Sequence, residues 1–216
     1  MNIKGIVFDL DGTLADSVID IAESMNLVLK EQKLAVHKID AYKQFAGNGI
    51  RKLVERALPE ELKSGEAFTK NMNRMLEVYG ENCINKTKLF PGVADLLDQL
   101  QEKGIKIAVF SNKVDDLTQK VVKVLLARWD VAFVTGISST VERKPNPQGA
   151  LLAAEKMGLS PSEMMFVGDS GVDMETAKNA GMFGVGVLWG FRSAEELKAN
   201  GAKAIISEAT DLINHL

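Results

Sequence analysis

One cysteine, Cys83, stands in 216 residues. No disulfide can close within the chain, and a reducing compartment fits that composition. Histidine is nearly as scarce: His37 and His215 have no sequence partners and are expected at the surface, so no Cys/His metal cluster can be built. Neither sign of charge is in large excess. Lys+Arg 26 against Asp+Glu 29 leaves −3, which argues against a general nucleic-acid or anionic-membrane binder. Long apolar runs are absent too. The "IKGIVF" near the start is too short for a membrane span or a signal peptide, and there are no internal repeats or low-complexity segments. The composition, 46% hydrophobic and 25% charged, suits one globular core with room for a smaller second unit. A cytoplasmic setting is expected, with no nucleic acid, no membrane and no protein partner inferred.

Short apolar runs are present instead, and they recur. "IKGIVFDL", "KGIKIAVFSN" from Lys103, "VAFVTGI" from Val131, "EMMFVGD" from Glu163 and "FGVGVLW" from Phe183 each have the form of a strand buried on both faces. Helical stripes separate them. Val93, Leu96, Leu97 and Leu100 make one; Leu117, Val121, Val124 and Leu125 make another. Pro147 opens a third, with Leu151, Ala154 and Gly158 following, and Val172, Thr176, Ala177 and Ala180 make a fourth that Gly181 would stop. Alternating strand and helix predicts an α/β fold on a parallel five-stranded sheet. Residues 14–82 break the alternation. Three apolar helical stripes, around Val18–Leu29, Ile50–Leu58 and Phe68–Tyr79, predict a helical unit inserted after the first strand. The expected layout is a discontinuous α/β core of residues 1–13 and 83–216 with a helical insert of residues 14–82.

The strand ends carry the polar residues. Asp9 and Asp11 close the first strand, Ser111 and Asn112 the second, Asp169 and Ser170 the fourth. In open α/β sheets ligands bind outside the carboxyl ends of strands. Carboxylates gathered there repel one another unless a cation sits between them, and acidic oxygens without Cys or His suit a hard ion such as Mg²⁺. The Ser111 hydroxyl, backbone N–H groups and a lysine would suit an anion. A metal, anion donors and a free carboxylate together suggest phosphoryl transfer with a carboxylate nucleophile.

"DLDGTLADS", "FSNK", "KPNP" and "VGDSGVD", in that order over nearly the whole chain, resemble the haloacid dehalogenase superfamily. "FAGNGIRKLVERAL" and "WGFRSAEEL" further resemble its phosphoglycolate phosphatases. The resemblance implies a Rossmann-like core with an α-helical cap, and a phosphatase acting on a small phosphorylated metabolite such as 2-phosphoglycolate. It implies that Asp9 is the nucleophile and that Asp11 is the general acid and base. Ser111 would bind the transferring phosphoryl group, and Lys144 would offset the charge on Asp9 and the phosphate. Mg²⁺ would be held by Asp9, the backbone carbonyl of Asp11, and Asp169, with Asp173 in the shell around it. Thr13 and Asn112 would lie beside the substrate.

Each assignment has a plainer rival. Asp9 or Asp11 alone could cap an Asp-Gly turn, and Ser111-Asn112 alone could cap a helix. Lys144 could be solvated, and Asp173 could simply favour its helix N-terminus. Gly47, Asn48 and Gly49 could form a helix–helix turn, or a cap loop presenting N–H groups and Asn48 to the substrate. Arg51 could pair with a substrate carboxylate or lie in solvent. Two other functions compete: a phosphomutase of the same superfamily, similar to β-phosphoglucomutase, and a catalytically silent binding module. Intact Asp9, Asp11, Lys144 and Asp169 argue against the silent module. Asp11, two residues after the nucleophile, argues against true dehalogenation. The mutase form would carry an acid where Gly168 stands. "TGISSTVERKPNP" lacks the acidic residue that phosphoglycolate phosphatases lead one to expect near Ser138 or Ser139.

Overall fold

A computed structural model describes residues 2–216. Its elements run β1 (Gly5–Phe8), β2 (Ala15–Asp16), α1 (Val18–Glu31), α2 (Ile39–Phe45), α3 (Ile50–Ala57), α4 (Gly65–Asn82), β3 (Lys88–Leu89), α5 (Val93–Glu102), β4 (Lys106–Val114), α6 (Asp115–Leu125), β5 (Val131–Ile137), α7 (Gln148–Met157), β6 (Met164–Gly168), α8 (Gly171–Ala180), β7 (Phe183–Val187), α9 (Ala194–Ala199) and β8 (Ala204–Ile206). Two compact units result. One joins Met1–Asp16 to Leu89–Leu216; the other is Ser17–Lys88. The helical unit thus runs from 17 to 88, against the 14–82 drawn from sequence: Leu14–Asp16 stay with the α/β unit, and the chain at Lys86 and Thr87 stays with the helices, held by Asp20 of α1.

The larger unit is built on a parallel sheet in the order β5-β4-β1-β6-β7-β8. Its six strands correct the five expected. The sixth, β8, has only three residues, Ala204–Ile206, too short to stand out as an apolar run among its polar neighbours. β1 lies at the centre, with Phe8 opposite Val109 of β4 and Val167 of β6. All four of its residues are buried, the environment that continuous apolar runs require. One core cluster gathers Val7, Ala108, Phe110, Met164 and Phe166 from the sheet with Ala150, Ala153, Met157, Ala177 and Ala180 from α7 and α8. The helical contribution is mostly alanine, which lets both helices approach the strands. Each buried Phe ring contributes on the order of 2–3 kcal/mol to that core.

Helix ends follow the sequence signals closely. Gly181 is the left-handed C-cap of α8, with φ 71, and Pro147 sits just before α7 as its N-cap. The stripe expected on α6 is rotated: Thr118, Val121 and Val122 are buried while Val124 is exposed, and Leu151 on α7 is exposed as well.

In the helical unit, α1 packs along α4, and Val18, Ile21, Ala22, Met25, Val28 and Leu29 are all buried. Asp20 of α1 is buried and accepts hydrogen bonds from the Lys86 and Thr87 backbone N–H groups and from the Thr87 hydroxyl, at 2.7–3.0 Å. It fastens the outgoing chain to the first helix. His37 is half-buried rather than at the surface. Its Nε2 lies 2.8 Å from the Ala57 carbonyl, and its ring stands edge-on to Tyr42 and Phe45. No helix among the described residues is long and apolar enough to cross a membrane.

Candidate active site

The site grows from the C-terminal end of β1. The Asp9 N–H donates to the Val167 carbonyl at 2.9 Å, continuing the β1–β6 ladder and fixing the Asp9 backbone. The chain then turns on one acceptor: the N–H groups of Thr13, Leu14 and Ala15 all donate to the Leu10 carbonyl. Gly12, with φ 92, sits in this loop against Asp169. β4 supplies the next wall, with Ser111, Asn112 and Lys113 all buried. Asn112 does not stand free. Its Oδ1 accepts the Lys144 N–H at 2.7 Å and its amide reaches the Lys144 carbonyl at 3.4 Å, so it anchors the loop that delivers Lys144.

Lys144 resolves against its solvated alternative. It is 3% exposed, and its ammonium lies 2.7 Å from Asp9 Oδ1 and 2.6 Å from Asp173 Oδ1. Asp173 is engaged on both of its oxygens. At the third position of α8 its carboxylate accepts the Ser170 N–H and hydroxyl, at 3.0 and 2.6 Å, while its other oxygen holds Lys144. Asp169 Oδ2 accepts the Phe191 N–H at 2.7 Å, and Thr13 Oγ1 approaches Asp169 Oδ1 at the long distance of 3.5 Å.

Carboxylate oxygens of Asp9, Asp169 and Asp173 lie within 4.8 Å of one another, all buried. Three carboxylates face one ammonium. Burial pushes Asp9 up to about 7, against the pull of Lys144 and with Asp173 and Asp11 adding to the rise. Burial, then the charges of Asp173 and Asp9, raises Asp169 well above the usual carboxylate range. For Lys144, burial opposes the charged form, but Asp173 and Asp9 outweigh it and drive the value up. A buried carboxylate set short of positive charge, with only oxygen donors, fits a hard divalent cation. Asp9, Asp169 and Asp173 could hold one. The Asp11 carboxylate is not in this cluster; it pairs with Lys113 at 2.8 Å.

A family profile described as haloacid dehalogenase-like hydrolase matches residues 6–187. The chain belongs to this family. The hydrolase is also similar to curated phosphoglycolate phosphatases: 33% identical to that of Aquifex aeolicus, covering 98% of this chain and 97% of the other, and 32% identical to that of Escherichia coli K12, covering 98% and 92%. Among solved structures, a Lactobacillus delbrueckii protein provisionally named phosphoglycolate phosphatase superimposes with a TM-score of 0.88 at 32% identity, covering 100% of this chain and 98% of the other. A haloacid dehalogenase-like protein of Streptococcus pneumoniae reaches the same TM-score at 22% identity, which speaks for the fold alone.

Asp9, Asp11, Thr13, Ser111, Asn112, Lys144, Asp169 and Asp173 of the hydrolase all belong to the α/β unit and share the strand ends described above. Asn48 and Arg51 belong to the helical unit. There, Asn48 Oδ1 accepts from Arg56 Nη2 at 2.8 Å, Gly47 and Gly49 take φ of 98 and 83, and the Arg51 guanidinium lies 4.7 Å from the Phe68 ring centroid. Sequence reasoning passed over three contributors. Lys113 stood in "FSNK" without a role. The "WGF" segment supplies Trp189, whose indole N–H donates to the Thr13 carbonyl at 2.9 Å, and the backbone N–H of Phe191. Gly190 between them permits the approach, since a Cβ there would stand 2.3 Å from the Asp169 Cβ and 2.4 Å from the Gly12 carbonyl oxygen.

Proposed function

We propose that the chain is a Mg²⁺-dependent phosphatase that hydrolyses a small phosphomonoester through an aspartyl-phosphate on Asp9. The observation that carries this reading is the buried Lys144 ammonium bridging Asp9 and Asp173 beside Asp169. An oxygen of Asp9 attacks phosphorus, and the bond to the substrate oxygen breaks as Asp11 protonates the leaving alcohol. Asp11, now a carboxylate, takes a proton from water as that water attacks phosphorus. The bond to Asp9 breaks, and inorganic phosphate leaves. Ser111 and backbone N–H groups bind the transferring oxygens, and Lys144 keeps Asp9 aligned and offsets charge. Asp9, Asp169 and the Asp11 carbonyl would hold the ion, which supplies positive charge against the phosphoryl oxygens. Thr13 and Asn112 then act mainly through the groups they hold.

The names borne by the relatives make 2-phosphoglycolate the leading substrate. In this reading the Ser17–Lys88 unit is the cap, with Asn48 and Arg51 as contacts to the rest of the substrate, and the enzyme works in the cytoplasm on metabolites rather than on nucleic acid or membranes. Gly168 disfavours the mutase: a Cβ there would lie 2.3 Å from the Asp173 Cβ, so an acid at 168 and an aspartate at 173 compete for one space.

A panel of phosphomonoesters assayed with Mg²⁺ tests the reading. The highest kcat/KM is expected for 2-phosphoglycolate or another small acidic ester. Arg51→Ala is expected to cost about tenfold more on 2-phosphoglycolate than on a neutral aryl phosphate. Equal losses on both would make Arg51 structural. Conversion of a sugar phosphate to its isomer, without release of phosphate, would replace the phosphatase by the mutase.

A further inference from the structure

The phosphatase scheme leaves one buried cation without a task. Lys113 ends the motif that begins at Phe110, two residues after Ser111 on β4. Its side chain is 5% exposed, and its ammonium lies 2.8 Å from Asp11 Oδ1, itself 15% exposed. Burying an ammonium and a carboxylate together is expensive, and such a pair adds little net stability over an apolar pair of the same volume. Stability alone therefore gives little reason to keep it. The position of the pair gives a better one. Asp11 lies on a loop whose turn is made by backbone bonds to the Leu10 carbonyl. The carboxylates of Asp9, Asp169 and Asp173 form a separate group, and the Asp11 carboxylate lies outside it. Lys113 draws it to the β4 side instead.

We propose that Lys113 is the positioning residue for Asp11: it holds the Asp11 carboxyl away from the metal-binding carboxylates and at the place from which it reaches the leaving oxygen. The inference rests on the role of Asp11 as acid and base given above. Lys113 itself touches neither substrate nor phosphorus in this scheme. What it supplies is a fixed starting geometry for a proton transfer, and a proton donor misplaced by an ångström loses much of its effect.

The test separates positioning from a general structural role by the leaving group. A nitrophenolate departs with little help from an acid, whereas a primary alkoxide needs the proton. For Lys113→Met, kcat/KM is expected to fall about 100-fold on alkyl phosphates and less than about tenfold on nitrophenyl phosphate, within the usual span of acid–base catalysis. A plot of log kcat/KM against leaving-group pKa therefore steepens. Lys113→Arg is expected to restore most of the alkyl activity, and Mg²⁺ binding, followed by titration calorimetry, to stay within about twofold in both variants. Should Lys113→Met not fold, Lys113→Gln carries the same expectation. Asp11→Asn is the reference and is expected to give the steep plot. If it does so while the Lys113 variants lose equally on all esters, or lose nothing, the proposal fails and the role of Asp11 stands. If Asp11→Asn leaves the slope unchanged, the role of Asp11 and the proposal fall together.

Discussion

At the scale of single residues, the site is governed by a shortage of positive charge. Lys144 is shared by two carboxylates and lies near a third. Asp9→Asn keeps the shape and the fold but removes the nucleophile. Phosphate release is expected to fall about 10³-fold or more with an unchanged circular dichroism spectrum. Substantial remaining activity would mean that water attacks phosphorus directly. Lys144→Met leaves the carboxylates without their cation and is expected to destabilise the protein by about 3–5 kcal/mol in urea titrations with chelator present. Asp9, Asp11 and Asp169 could be singled out in the sequence because each follows an apolar strand run directly, and Lys144 because it opens the "KPNP" segment that carried the resemblance. Lys113 was hidden, since a lysine after a strand reads as solvated until its partner is seen. The contribution at Phe191 was hidden more deeply. A backbone N–H carries no residue identity, and only the neighbouring Gly190 hinted at a close approach.

At the scale of elements, the segment after β7 works as a strut between two loops. Trp189 holds the loop after β1 through the Thr13 carbonyl, and Phe191 holds Asp169. Gly190→Ala forces them apart. Its expected effect is a 10–100-fold loss of Mg²⁺ affinity by titration calorimetry, roughly the cost of losing an outer-shell partner, with the secondary structure intact. Unchanged affinity would show that the Phe191 bond is dispensable. In the helical unit, Asp20→Ala removes the acceptor of the Lys86 N–H and of the buried N–H and hydroxyl of Thr87. A loss of about 2–4 kcal/mol is expected, together with faster amide exchange at residues 86 and 87. The strands of the central sheet were readable because burial on both faces leaves an unbroken apolar run. Short or largely exposed elements, β8 and α2, had no such signature, and stripe membership at the helix margins, as at Val124, depends on the angle at which a helix meets the sheet.

At the scale of the molecule, protons and a metal bound at these carboxylates would compete for the same oxygens. Asp9 is pushed from 3.8 up to about 7 by burial in the folded state, so between those values the folded chain holds a proton that the unfolded chain releases. Its contribution to stability is full below 3.8 and is lost as pH rises through about 7. Asp169 acts in the same direction. Chelator-treated protein is therefore expected to have a lower Tm at about pH 7.5 than at about pH 5, and Mg²⁺ is expected to raise Tm more at the higher pH. A Mg²⁺ effect independent of pH across that range would exclude these carboxylates as the ligands.

The route by which the chain leaves the α/β unit and returns to it is narrow. The Phe90 N–H donates to the Leu14 carbonyl at 3.0 Å, and β2 pairs with β3, so the two stems stand one strand spacing apart, about 4.8 Å. Whatever lies between them closes on itself before the next core element begins. For the sheet, the excursion from 17 to 88 is equivalent to a hairpin loop, and because the entropy of closing a loop grows only with the logarithm of its length, a cassette of seventy residues burdens the fold little more than one of twenty. Such a gene can exchange or resize that cassette between the same two codon positions and leave the strand-end carboxylates where they are.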